Sequence, residues 1–279
     1  MRETLEVPET PETAEVPEAA EAAEAPEARD AFARLVLDTM HEESKLGLTL
    51  GFVRTFGIPG IAEVLAGTGR MTGDPRTRTK ATGAAMFTLI GRGVESPEGR
   101  RVVEGLRRIH DRPDITPDQM RYVLACFTVC PLRFIDDHGH RAVTAEERDA
   151  AYAFHVSLSD ALGLSEGGSE DVGESDSEGG NGVGAGLAGV ERWMRAYESR
   201  HFAPSPEGGA LWAAASKGLL GRRMPRPLAG LAPAVAASLL DAPLRTALHV
   251  RRAPAPVRAL VTLALRAQAR KGRRRTATA

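Results

Sequence analysis

Between about residue 28 and residue 270, large apolar side chains recur at three- and four-residue spacing, with no sustained alternation of apolar and polar positions. On the segment opening at Pro75, the residues Arg78, Thr82, Ala85, Met86 and Leu89 share one face. On the segment opening at Pro97, Val103, Leu106 and His110 stack in the same way, flanked by Val102 and Ile109. Helix starts are well marked. Asp74-Pro75, Ser96-Pro97 and Thr116-Pro117 each set an N-cap residue before a proline at the first helical position. Thr116-x-x-Gln119 and Thr144-x-x-Glu147 read as capping boxes. The pattern predicts helices over about 28–45, 48–67, 75–93, 97–111, 117–134, 144–163, 187–201, 207–221, 227–240 and 254–270, with Pro59 kinking or dividing the second. The expected fold is all-α: one helical-bundle-like domain, with no sheet.

The flanks are of different character. Residues 1–27 repeat Pro-Glu-Thr and Ala-Glu units and predict a disordered acidic arm. Within the helical domain expected over 28–270, residues 165–186 read as a flexible acidic loop, and 271–279 as a basic, frayed tail. The chain has 279 residues, 42% of them hydrophobic and only 5% aromatic, enough for one sizeable core or two small ones, and its wealth of Ala, Leu and Arg favours helices over strands. Its formal net charge of −1 hides an acidic beginning and a basic end. The start has no apolar core of a signal peptide. The most apolar long stretch, 228–244, is interrupted by Pro233, Asp241 and Pro243, so no transmembrane span and a cytoplasmic location are expected. Cys126 and Cys130 stand four apart on a predicted helix, outside any C-x-x-C motif, and read as small reduced core residues.

The candidate chemistry lies on the two faces described first. A polar group on an apolar face requires a partner, which singles out Arg78, Thr82 and His110. An imidazole presented from an apolar wall is what an axial haem ligand requires. An arginine nearby suits a propionate, and a threonine hydroxyl suits bound dioxygen. The residues alone leave other readings open. His110 also suits the last turn of a helix, where a cationic ring favours the dipole, and Arg78 also suits a solvated surface beside Arg76 and Lys80. His155 is a second candidate for a buried or axial role. His138 and His140 form an H-x-H in an aspartate-rich connection, which reads either as a metal site or as solvated loop. Asp38-x-x-His41 and Glu198-x-x-His201 are a weak echo of di-iron bundle ligands. The basic run from Arg266 to Arg275 follows Val257, Leu260, Val261, Ala264 and Leu265. That arrangement suits a core helix with a solvated basic end, or a helix lying on a membrane surface, and leaves peripheral membrane contact open. No aromatic residues interleave with those arginines, so no nucleic-acid partner is expected.

The order of these motifs resembles one family. Arg78-x-x-x-Thr82, then Ile109-His110 closing a helix, then Gly139-His140-Arg141-Ala142-Val143-Thr144-Ala145-Glu146-Glu147, Tyr152 and Leu162-Gly163-Leu164 are similar to the haem-dependent MpaB-like and rubber oxygenase (latex clearing protein) catalytic domain. The likeness covers roughly Phe52 to Leu164. It implies an all-helical domain with haem b, His110 as the axial ligand to iron, and Arg78 and Thr82 as pocket residues, Arg78 also contacting the cofactor. It departs from the rubber-cleaving members at Ala81, where those carry a lysine, and offers only Glu63 for their upstream acid. The resulting expectation is a haem-b-dependent oxygenase using O2 to oxidise or cleave an apolar, isoprenoid- or terpenoid-type metabolite. The alternative is a non-catalytic helical module that binds haem or a partner.

Overall fold

The structure, a computed structural model, describes residues 30–69, 73, 75–164, 186–217 and 230–276. The acidic arm expected over 1–27 and nearly all of the acidic loop expected over 165–186 lie outside the described residues. Among those described there are helices and no strand. The chain enters through α1 (Ala31–Arg34), capped by Asp30, whose carboxylate accepts from the Ala33 N–H at 2.7 Å. A π-helical turn, Leu35–Thr39, leads to α2 (His41–Arg54), and a 3₁₀ turn, Thr55–Gly57, leads to α3 (Pro59–Gly67). Then follow α4 (Pro75–Arg92), α5 (Pro97–His110), α6 (Pro117–His138) and α7 (Ala145–Ala161). The remainder is α8 (Gly186–His201), α9 (Pro206–Ala215), α10 (Ala232–Ala237), α11 (Ala242–Ala247) and α12 (Ala255–Thr276).

The most extensive packing is between α2 and α6, and its cause is a stripe of small residues. Gly47 and Gly51, one turn apart, lie directly on the α6 backbone. A Cβ added at Gly47 would come 2.5 Å from Pro131 Cα, and one at Gly51 would come 2.7 Å from the Cys126 carbonyl oxygen. Across this contact stand Cys126 and Cys130, both free and buried, as expected of small core residues. Helices α7 and α8 pack on α6 and on each other, and α9 closes over α3. One buried polar cluster joins four elements. Arg54, ending α2, donates to both carboxylate oxygens of Glu198 on α8, and to Asp241 at the N-cap of α11 at 2.7 Å. The Tyr122 hydroxyl of α6 donates to the same Glu198 at 3.1 Å.

Several boundaries differ from those the pattern predicts. The break expected near residues 46–47 falls instead at Met40, whose φ of −127° and ψ of 41° leave the helix, because Gly47 is a packing glycine and not a helix stop. Pro59 does divide the second segment: α3 turns 103° from the helical run ending at Gly57. Helix α6 continues through Pro131 to His138, so Asp136, Asp137 and His138 form its last turn and not a connection. Within the segment expected over 227–240, the described residues form an α-helix at Ala232–Ala237, and α11 starts separately, where the Asp241 carboxylate accepts from the Leu244 N–H at 3.0 Å. The basic tail expected to fray from Lys271 is helical as far as Thr276. Arginine and lysine are good helix formers, and Gly272, the sole glycine there, lies against His140, 2.9 Å from ring to added Cβ.

Candidate functional site

Helices α4 and α5 form a hairpin, and two glycines set its tight corner. Gly93 takes a φ of +84°, open mainly to glycine. Gly99 lies so close to the corner that a Cβ would come 2.1 Å from the Gly93 carbonyl oxygen. Ser96 caps α5 by accepting from the Gly99 N–H at 2.9 Å. Met86, Leu89, Ile90, Val94 and Val103 are buried. The hairpin rests on the body through α4, which packs against α1, the π turn and α2, while the main helical neighbour of α5 is α4 itself. The contacts are specific: the Phe87 ring lies 5.3 Å from that of His41.

Arg78 lies 14 residues before the end of α4 at Arg92, and His110 lies 13 residues after the start of α5 at Pro97. At 1.5 Å per residue both stand about 20 Å from the corner, at the open end of the hairpin. Thr82 sits one turn in from Arg78 and is half-buried. The structure thus brings the helical positions of all three predicted residues to one end of one supersecondary unit. The Arg78 side chain lies outside the described residues. Ile109, expected to flank the apolar face, is instead 51% exposed. The family's upstream acid has no inward counterpart at Glu63, which is exposed on α3.

His110 is half-buried, and its Nδ1 is 2.7 Å from the Leu106 carbonyl oxygen one turn earlier. A carbonyl only accepts, so Nδ1 carries the proton, and in the neutral ring the lone pair stands on Nε2. A backbone carbonyl bound to the far nitrogen is how a metal-ligating imidazole is held in tautomer and orientation.

His41 is held in a similar way, its Nδ1 3.2 Å from the Val36 carbonyl oxygen, but His155, His138 and His201 are engaged differently. His155 on α7 faces Thr128 on α6. The threonine hydroxyl donates to the Leu124 carbonyl at 3.1 Å and accepts from His155 Nδ1 at 3.2 Å. Burial pushes that ring from its usual 6.5 down to about 4, so it is neutral at pH 7. His138 packs on Phe134, ring centres 4.7 Å apart, and partial burial lowers its affinity for a proton. Among the described residues no three His, Cys, Asp or Glu side chains gather into a metal-binding group. Glu198 of the Glu198-x-x-His201 pair is committed to Arg54 and Tyr122, and the His201 ring packs on Tyr197 at 4.2 Å. Burial opposes the charge on Arg54, but the Glu198 hydrogen bonds and the two carboxylates outweigh it and hold the guanidinium protonated. Burial also pushes the Tyr122 phenol and the Cys126 thiol well up, so both stay neutral. The pattern marked Glu198 but not Arg54, because the two meet across 144 positions of sequence and no local spacing signals it.

The described residues form an all-α domain in which one hairpin carries both Thr82 and His110. Residues 31–270 match the family model described as ER-bound oxygenase mpaB/B'/Rubber oxygenase, catalytic domain, and the chain belongs to this family. It is 31% identical over 185 residues to the ER-bound oxygenase mpaB of Penicillium brevicompactum, covering 63% of this chain and 46% of that one. To mpaB' of the same organism it is 33% identical over 162 residues, covering 55% and 37%. To mpaB of Penicillium roqueforti (strain FM164) it is 32% identical over 162 residues, covering 55% and 52%. The chain therefore spans about half, or less, of the length of these curated relatives. No solved structure matches it.

Proposed function

We propose that this protein is a haem-b-dependent oxygenase that uses dioxygen to oxidise or cleave an apolar metabolite of isoprenoid or terpenoid type. Family membership supports the oxygenase class, since the matching model is an oxygenase catalytic domain and the relatives carry that name. One observation carries the cofactor assignment: the Leu106 carbonyl holds His110 Nδ1–H, which leaves Nε2 as the lone-pair donor an axial iron ligand requires. The residues present therefore fit a haem. When bound, haem supplies the iron at which dioxygen is activated.

The chain's own contribution is to hold and orient. His110 would hold the iron through Nε2, with its ring orientation fixed by the Leu106 carbonyl. Thr82 supplies a hydroxyl, one turn from Arg78, able to donate to an oxygen atom. Arg78 supplies a cation matched to a carboxylate such as a propionate. Buried Met86, Leu89 and Val103 make the hairpin interior dry, which favours an apolar substrate and strengthens each polar contact. Ala81 in place of the lysine of rubber-cleaving relatives points away from polyisoprene itself.

The test is the visible spectrum of the purified protein with and without added hemin. A Soret band that His110→Ala abolishes, with the melting temperature unchanged, is the expected result. A protein that stays colourless with hemin present overturns the assignment.

A further inference from the structure

The C-terminal helix α12 has two unlike long faces. Val257, Val261, Leu265 and Gln268 turn inward and are half-buried, Gln268 donating to Glu43 of α2 at 3.1 Å. The outward face carries Leu260, Leu263, Ala264 and Ala267, all exposed and spaced i, i+3, i+4, i+7 along one stripe. Leu260 is 59% and Leu263 62% exposed, and they are two of the four large hydrophobic residues exposed among the described residues. A third, Leu231, stands at the start of α10, which packs on α12. The same stripe then continues into Lys271 and Arg274.

Charge on α12 is of one sign. Its 22 residues hold seven lysines and arginines and no acid. Arg266, Arg270 and Arg273 line the edge beside the leucines and form, with Asp137, His138 and Gly139, a surface recess of about 350 Å3. Asp137 is the one acid in that wall, and His138 is neutral through desolvation. Arg273 also reaches the His140 carbonyl at 3.4 Å, so the recess is fixed to the end of α6.

We infer that α12 docks the protein on an anionic phospholipid surface, with Leu260 and Leu263 entering the acyl boundary and the arginine-lined recess receiving a phosphate headgroup. Exposed leucines flanked by an unbroken set of cations match a layer that is apolar beneath and negative on top. A nucleic acid would use the cations but has no use for the two leucines. Among the described residues no single helix, α12 included, is long and apolar enough to cross a membrane. The docking is independent of the haem assignment.

The experiment is co-sedimentation of the full chain with vesicles of phosphatidylcholine alone or with added phosphatidylserine. Binding is expected only with phosphatidylserine, and it should fall steeply as salt is raised. Leu260→Ser/Leu263→Ser should weaken partitioning roughly tenfold or more. Arg266→Gln/Arg270→Gln should weaken it about fivefold per cation removed. Both pairs are exposed, so an unchanged thermal melt checks that each variant folds. Equal binding to neutral vesicles, leucine substitutions without effect, or capture by heparin or RNA while vesicles are ignored would each overturn the inference.

Discussion

Two side chains, His155 and Thr82, meet different demands, and each makes a prediction at the scale of a single residue. His155 is held neutral by burial, its proton affinity lowered from 6.5 to about 4. Between those values the unfolded chain takes up a proton that the folded one refuses, so stability falls as pH drops from about 6.5 to 4 and is fully present above 6.5. Urea melts at pH 7.5 and 4.5 should differ by up to about 3 kcal/mol from this ring alone, the equivalent of its shift. His155→Gln should flatten that dependence. At Thr82 the prediction concerns chemistry. Thr82→Val conserves shape and removes the hydroxyl, so the Soret band should persist while turnover falls on the order of tenfold or more. Loss of the band together with turnover would assign Thr82 a structural role instead.

At the scale of elements, the hairpin's glycines predict changes of opposite sign. Gly99 has no room for a methyl group against Gly93 and Val94, so Gly99→Ala should cost roughly 1–3 kcal/mol and loosen the arm that carries His110. Gly105, mid-way along α5, has nothing within 4 Å of an added Cβ, so Gly105→Ala should stabilise by about 1 kcal/mol. Thermal melts of the two variants compare them directly. What was legible in the sequence follows the same division. Starts of helices were readable because Ser96, Thr116 and Thr144 cap by bonding three residues away, a local signal. The hairpin and its polar positions were readable because helical periodicity is local too. The break expected at 46–47 was misplaced because Gly47, a breaker by propensity, is a contact point by packing, and the contact between α2 and α6 decides.

At the scale of the whole molecule, the buried Arg54 cluster ties α2, α6, α8 and α11 together, and it was invisible to spacing because its members come from distant parts of the chain. Removing Glu198 leaves the buried Arg54 charge with Asp241 as its remaining carboxylate partner and takes away the Tyr122 acceptor. Glu198→Ala should therefore cost roughly 3–5 kcal/mol in urea denaturation, and Arg54→Met/Glu198→Leu should recover most of that loss. If the double variant is no more stable than the single, the cluster contributes more than mutual neutralisation.

The groups assigned to chemistry all fall on one contiguous pair of helices, whereas the cluster that braces the body is drawn from α2, α6, α8 and α11. Injury to the two can therefore be told apart in one sample. Loss of the His110 imidazole should remove the haem colour before it lowers the melting point, while lesions at Arg54 or Glu198 should lower the melting point first and take the colour only as the fold gives way.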